Sequence, residues 1–121
     1  MFAPFDEIVS LGNTCETAYQ LRRCLGLDRA HVFDWVVTSD QGILQHIESG
    51  MHGYFGLESL KRDEKGNARD ARTGTLFMHD VPEGSDLATA HAKAAPRIAA
   101  LVDRWHRLMT SDQSVLFIRK H

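Results

Sequence analysis

The first apolar block of the chain, residues 7–11, is rich in β-branched side chains and ends at Gly12. This pattern predicts a short strand that is closed by a turn. A helix is predicted directly after it, from about Thr14 to Leu25, because Asn13 and a glutamate three residues later have capping-box spacing. The N-terminus is therefore expected to be a strand–turn–helix unit with Cys15 in the first helical turn.

The next apolar run, residues 31–37, is compact and is typical of either a second strand or a buried loop. After it, Ser39 or Asp40 is expected to cap a short helix that stops at Gly50. Three apolar residues of that helix are expected to face the core: Ile43, Leu44 and Ile47.

Residues 54–80 predict a β-hairpin with a polar tip. Residues 61–72 are highly polar and contain Lys65-Gly66-Asn67, a sequence that favours a turn. Gly74 then precedes the apolar run 75–78, which is expected to be a strand.

The last long helix is predicted to start near Ala94, with Pro96 in its first turn, where the missing proline N–H costs little. Its apolar stripe follows the helical repeat and consists of Ile98, Leu101, Val102, Trp105 and Met109. Its basic residues Lys93, Arg97, Arg104 and Arg107 are expected to form a solvated face. Residues 114–119 are apolar enough to predict a strand buried on both faces.

These elements predict one α/β domain over residues 1–121, a small parallel-type sheet with covering helices and a polar hairpin insertion. Because the chain ends on an apolar strand, we expect it to be the N-terminal part of a longer, truncated domain. An open terminal strand also predicts possible self-association through that edge.

Composition narrows the class of function. The net charge is −2 and no long run of lysine or arginine is present, which argues against a nucleic-acid partner. No segment approaches the ~18 apolar residues of a membrane span, and the first residues lack the pattern of a signal peptide. Cys15 and Cys24 fall on one predicted helix, roughly 13 Å apart, too far for a disulfide. We therefore expect a cytoplasmic protein with free thiols, and the motifs predict neither a metal nor a cofactor.

Cys15 is the leading candidate for chemistry. A thiol in the first turn of a helix feels the positive end of the helix dipole, which favours the thiolate. The free N–H groups there can hold an oxyanion or a phosphate. Gly12 allows a tight turn, and Asn13 can cap the helix or donate its amide to a developing charge. The alternative is that Cys15 is a small buried residue and Asn13 is only a cap.

A nucleophilic thiol needs a base, and His79 is the best placed histidine because it follows the apolar run 75–78. Asp80 is a candidate for orienting it, with Asp34 as the alternative. Asp34 lies between two aromatic residues, Phe33 and Trp35, where it could have a raised pKa, pair with an arginine such as Arg22, or cap a turn.

Taken in order, five segments resemble the bacterial family of putative papain-like cysteine peptidases. They are Ser10-Leu11-Gly12-Asn13-Thr14-Cys15, Ala18-Tyr19-Gln20-Leu21-Arg22, Phe33-Asp34-Trp35, His79-Asp80 and Val115-Leu116-Phe117-Ile118-Arg119. The resemblance covers nearly the whole chain, and the first two segments are the most specific.

The resemblance implies Cys15 as nucleophile and His79 as its base. Papain-like enzymes place an oxyanion-hole glutamine before the cysteine, whereas this chain has Ile8-Val9-Ser10 there, so Asn13 is the expected substitute. With Asp80 as orienting acid, the expected catalytic group is Cys15, His79, Asp80 and Asn13. The residues expected to contact substrate are Gly12, Tyr19, Arg22, Asp34 and Trp35.

Three functions are compatible with these residues. The first is a cysteine-nucleophile hydrolase or acyltransferase that acts on a peptide or a small molecule. The second is a non-catalytic domain that binds a phosphate or carboxylate at the helix N-terminus. The third is a Rossmann-like transferase with Asp34 or Asp80 as general base.

Overall fold

A computed structural model of the protein describes residues 5–12 and 30–119. Within these ranges the chain forms two α-helices, one 3-10 turn at Leu57–Ser59 and four short strands. They are β1 (Glu7–Ser10), α1 (Asp40–Glu48), β2 (Leu60–Arg62), β3 (Ala68–Asp70), α2 (Leu87–Met109) and β4 (Val115–Ile118). The predicted α/β class is confirmed, and the helix predicted from Thr14 to Leu25 lies outside the described residues.

Strands β1 and β4 pair in parallel, with Glu7 opposite Val115 and Ser10 opposite Ile118. The predicted strand over residues 7–11 is confirmed, since Leu11 N still donates to Ile118 O at 2.8 Å. Strand β4 is less buried than predicted: Phe117 is 38% exposed and the other three residues are half-buried. In the described part of the chain β4 pairs with β1 alone. A strand with one neighbour is less buried than a strand in the interior of a larger sheet.

The predicted hairpin is confirmed over a narrower range, with β2 and β3 antiparallel and Leu60 opposite Asp70. Its turn is held by Asp63, whose Oδ1 accepts from Lys65 N and Asn67 N, both at 2.9 Å. The run 75–78 was predicted as a strand, but only Leu76 forms isolated bridges, to Val37 and Arg69. It is too short for a ladder because the chain turns again at once.

Helix α1 begins after Ser39, whose Oγ accepts from Gly42 N at 2.9 Å, as predicted. The predicted buried face is partly wrong: Ile43 is buried, but Leu44 and Ile47 are 54% and 38% exposed. Two residues that are less apolar take their place, Gly42 and His46. A Cβ on Gly42 would lie 2.7 Å from the Thr73 carbonyl oxygen, and His46 Nε2 lies 2.8 Å from Thr75 Oγ1. Close approach and a hydrogen bond therefore decide which face of the helix is buried.

The N-terminus of α2 lies seven residues before the predicted start near Ala94, because Asp86 is its N-cap and accepts from Thr89 N at 3.0 Å. Pro96 consequently lies inside the helix and cannot donate to the carbonyl of Ala92. Ala92 is exposed, so water can hydrogen-bond to that carbonyl instead. The alanine-rich first turns favour helix strongly enough to continue through the proline.

The buried stripe of α2 is Ile98, Leu101, Trp105 and Leu108. The prediction that Met109 belongs to this stripe is wrong, since Met109 is 41% exposed. Val102 is half-buried and packs against the core. Trp105 packs edge-on against Phe33 at 5.5 Å, and Phe33 is fully buried. Tyr54 packs edge-on against the same ring at 5.7 Å. The core is therefore centred on Phe33. Of the two alternatives predicted for residues 31–37, a strand or a buried loop, the structure shows the buried loop.

Candidate functional site

Residues 13–29 lie outside the described part of the chain. They contain Asn13, Cys15, Tyr19 and Arg22, so the roles assigned to those four residues remain predictions. What the structure does place is Gly12, the residue that leads into this segment, together with Asp34, Trp35, His79 and Asp80.

Gly12 lies at the end of β1 and packs directly against the backbone of the buried loop. Its φ is +82°, in the region that favours glycine, and its N–H donates to Ser10 Oγ at 3.0 Å. A Cβ at this position would lie 2.9 Å from the Phe33 carbonyl oxygen and 3.4 Å from that of Val36. Only glycine therefore fits here without displacing the loop.

Arg119 binds the end of β1 through hydrogen bonds that the sequence pattern did not predict. Its Nη1 donates to Leu11 O at 3.2 Å and to Thr38 Oγ1 at 2.8 Å, and its Nη2 donates to Thr38 O at 2.8 Å. Its Nε donates to Asp40 Oδ1 at 2.7 Å. The signal that could have found it is an arginine directly after an apolar strand, because a half-buried guanidinium needs several acceptors.

Asp34 shapes the loop beside Gly12. It is buried, and its Oδ2 accepts from His31 N at 2.9 Å, while its own N–H donates to His31 O at 3.2 Å. This is the geometry of the turn-cap interpretation of Asp34. The loop is also held by Tyr54, whose buried hydroxyl donates to Val32 O at 2.8 Å. Burial, reinforced by the charge of Asp34, raises the pKa of Tyr54 far above its ordinary value, so the phenol stays a donor.

His79 lies in a turn and stacks on Trp35, with ring centroids 5.1 Å apart and planes 24° apart. Its side chain is exposed, and its ring nitrogens have no hydrogen-bond partner within the described residues. The structure thus brings together two residues that the sequence analysis assigned to the site on separate grounds. The imidazole is therefore held by a flat contact with the indole ring of Trp35.

Asp80 takes a different direction. Its carboxylate is 4% exposed and forms an ion pair with Arg97 of α2. Consecutive side chains diverge, and no hydrogen bond joins Asp80 to His79 within the part of the chain that the structure describes. Arg97 was expected to lie on a solvated face, and its guanidinium is instead half-exposed and bound to this buried acid.

Two cavities lie along different parts of α2, one at its N-terminal half and one at its C-terminal end. One, of about 580 Å³, lies beside His79 and Asp80 and continues along α2. The other, of about 510 Å³, lies between Glu7, His31 and the C-terminal end of α2. The first cavity is the one of these two that contacts candidate site residues, namely His79 and Asp80, whereas the second lies at the start of β1.

Among residues 5–12 and 30–119, no three histidine, cysteine or acidic residues are grouped closely enough to hold a metal ion. No helix in the same ranges has the length and apolar character that crossing a membrane requires.

Comparison with known proteins bears on the family. An uncharacterized protein of Acanthamoeba polyphaga mimivirus is 28% identical over 134 residues, which take in 92% of this chain and 60% of that protein. The chain thus spans less than two thirds of the length of this relative. No solved structure matches. The family model described as putative papain-like cysteine peptidase matches residues 6–121, and the chain therefore belongs to that family.

Proposed function

We propose that the protein is a cysteine-nucleophile hydrolase or acyltransferase in which Cys15 is the nucleophile and His79 is its general base. Membership of the papain-like cysteine peptidase family supports the class of chemistry. The observation that carries the assignment of residues is the position of the buried loop 33–36. Gly12 packs against its Phe33 carbonyl on one side, and its Trp35 stacks on His79 on the other.

Gly12 and His79 both contact this loop although they are more than sixty residues apart in the chain, which supports the pairing of the two candidate segments. Cys15 follows Gly12 by three residues, a span of at most about 10 Å even when fully extended. Because Gly12 contacts the loop that carries Trp35, this limit supports a position for the Cys15 thiol on the same side of the fold as that loop. His79 is already in contact with that loop through Trp35.

In the proposed reaction His79 takes the proton of the Cys15 thiol, and Sγ attacks a substrate carbonyl carbon. A C–S bond forms and the carbonyl π pair moves to oxygen, where the Asn13 amide and the helix N–H groups would stabilise it. The oxyanion then collapses and expels the leaving group, which takes its proton from the His79 imidazolium. Water, or another acceptor, then attacks the thioester carbonyl carbon and gives its proton to His79. The C–S bond breaks, the acyl group leaves on the acceptor, and the Cys15 thiolate takes the proton back from the His79 imidazolium.

Trp35 is the positioning residue in this proposal, because its indole ring fixes the plane of the imidazole. Asp80 remains a candidate orienting acid from the sequence, but its ion pair with Arg97 supports a structural role, in which it ties the His79 turn to α2. A buried carboxylate of this kind loses much of its stabilisation when its cation is removed.

The experiment that tests the assignment is the pH dependence of iodoacetamide alkylation at Cys15, read by mass spectrometry. Cys24 is the internal control, and His79→Ala is compared with His52→Ala, which removes an exposed histidine outside the site. We expect Cys15 to react well below pH 7 and His79→Ala alone to move the profile upward, because the thiolate loses its imidazolium partner.

An ordinary thiol titrates near pH ~8.5. If Cys15 follows that profile in the unmodified protein, or if His79→Ala leaves a depressed profile unchanged, the proposed pair does not exist. Anion binding at the helix start would then become the leading function, and it predicts binding that survives Cys15→Ser.

A further inference from the structure

The cavity of about 510 Å³ lies where the start of β1, the loop at His31 and the C-terminal end of α2 meet. A volume of this size is typical of a site for a small molecule. The chemistry proposed for Cys15 and His79 uses no residue of this lining, so a ligand held in this cavity would occupy a second site.

Two guanidinium groups of α2, those of Arg104 and Arg107, line this cavity. Because they are three residues apart, they project from the same side of the helix. Arg104 is half-buried, its Nη1 donates to the carbonyl oxygen of Ala30, and it forms no ion pair within residues 5–12 and 30–119. Arg107 pairs with Asp103 at 3.1 Å, and both of these side chains are largely exposed. A surface pair of this kind contributes little to stability, so Arg107 can exchange that carboxylate for a ligand.

Positive charge is in excess on the lining. Of the described residues that line the cavity, one is an acid, Glu7, and its Oε1 lies 3.1 Å from His31 Nε2 in a pair that is almost fully buried. Two guanidinium groups against one carboxylate leave an excess of one positive charge, before any charge on His31. The C-terminal end of α2 contributes about half a negative charge, which is too small to cancel this excess. Its carbonyl at Leu108 is also already bound, by the N–H and the hydroxyl of Ser111.

Neutral groups complete the lining. The side-chain amide of Gln113 has no hydrogen-bond partner among the described residues, and its N–H groups can donate to a ligand. Ser111 holds the turn that carries this amide, because its Oγ accepts from Gln113 N at 3.3 Å and donates to Leu108 O at 2.7 Å. The side chain of Leu108 is almost fully buried and gives the cavity an apolar wall. The cavity therefore combines donors for an anion with space for a small organic group.

We propose that this cavity binds a small organic phosphate. Arg104 and Arg107 hold the phosphate group, Gln113 donates to another of its oxygen atoms, and the organic part lies against Leu108. A phosphate monoester offers three terminal oxygen atoms and up to two charges, so it engages two guanidinium forks and an amide more completely than a carboxylate does. This site does not depend on the proposed catalysis, because none of its residues belongs to the candidate site.

Isothermal titration calorimetry of the whole chain with phenyl phosphate tests the site, with benzoate as the probe that has the same ring but a carboxylate. We expect one phenyl phosphate to bind per chain, more tightly than benzoate. Arg104→Gln should weaken phenyl phosphate binding about tenfold or more, because it removes charged hydrogen bonds from a half-buried position. Arg104→Lys should recover part of that loss, since lysine restores the charge without the fork. Arg107→Gln should weaken binding about twofold to fivefold, because Arg107 is more exposed.

Arg69→Gln is the matched control for Arg107→Gln, because Arg69 is also an exposed arginine bound to an aspartate, Asp63, and lies on β3 away from this lining. Gln113→Ala removes an exposed side chain without disturbing the contact of Arg104 with Ala30, so it tests the site even if an Arg104 variant unfolds. Absence of phenyl phosphate binding, or equal affinity for benzoate, overturns the proposal. An affinity that Arg107→Gln and Gln113→Ala both leave unchanged, or that Arg69→Gln lowers as much as Arg107→Gln does, places the anion elsewhere and also overturns it.

Discussion

Replacing Gly12 with alanine tests whether the turn before the candidate nucleophile is built for glycine alone. Two costs are expected. An L-residue at φ +82° costs about 1–2 kcal/mol, partly offset by about 0.4–1 kcal/mol because alanine restricts the unfolded chain. The new Cβ would also lie 2.9 Å from the Phe33 carbonyl oxygen. That atom belongs to the backbone of a buried loop, so relieving the overlap adds about 1–3 kcal/mol.

Gly84→Ala provides the control, because Gly84 has the same φ of +82° and nothing within 4 Å of its would-be Cβ. It should lose about 1 kcal/mol or less, whereas Gly12→Ala should lose about 2–4 kcal/mol. Urea unfolding followed by tryptophan fluorescence measures the free energy of unfolding of both variants. Trp105 reports on the core and Trp35 reports on the candidate site. Equal losses for the two variants would refute the reasoning, since the Phe33 contact is the feature that separates them.

Two further predictions concern the contacts around the site. His46 is buried, and desolvation lowers its pKa below the ordinary value of about 6.5, with Arg72 acting in the same direction and Asp70 against it. As the pH falls, the unfolded chain therefore takes up the His46 proton first, so the free energy of unfolding should fall below about pH 6.5 and level off below the folded-state pKa. His46→Gln should remove this component from the pH profile of the free energy of unfolding measured in urea. An unchanged profile would contradict the assignment to His46. Arg119→Ala should lower the free energy of unfolding by about 2–3 kcal/mol in the same assay, because it leaves the carbonyls of Leu11 and Thr38 without their charged donor. Arg119→Lys should recover part of that loss. Full recovery by lysine would show that the charge, and not the forked geometry of the guanidinium, stabilises this contact.

The elements that were predicted correctly are those whose signals are local. Strand β1, the Ser39 cap of α1 and the turn near Lys65-Gly66-Asn67 each depend on a few neighbouring residues. The apolar stripe of α2 was predicted in most of its members because the helical repeat is regular. The predicted start of α2 is too late because Pro96 is typical of a first helical turn, whereas the Asp86 cap and the alanines after it decide the boundary.

The site residues were only partly predictable, for a physical reason. His79 and Trp35 were each chosen from their own surroundings, but their stacking depends on how two loops meet in three dimensions. The ion pair of Asp80 with Arg97 and the hydrogen bonds of Arg119 join residues far apart in the chain. The periodicity of apolar residues does not predict such contacts. The buried face of α1 was misjudged for the same reason: hydropathy favoured Leu44 and Ile47, while a close approach at Gly42 determined the packing.

The stacked geometry of His79 has a consequence for the proposed mechanism. A carboxylate bound to one ring nitrogen fixes which nitrogen carries the proton. Stacking on Trp35 fixes the ring plane but favours neither tautomer, so either nitrogen can serve as the base. Among residues 5–12 and 30–119 no side chain bonds to a ring nitrogen of His79, and in the proposed enzyme the thiol or the substrate would select the tautomer. In the proposed enzyme the imidazole would therefore be committed to its role as base only once Cys15 or a bound acyl group lies against it.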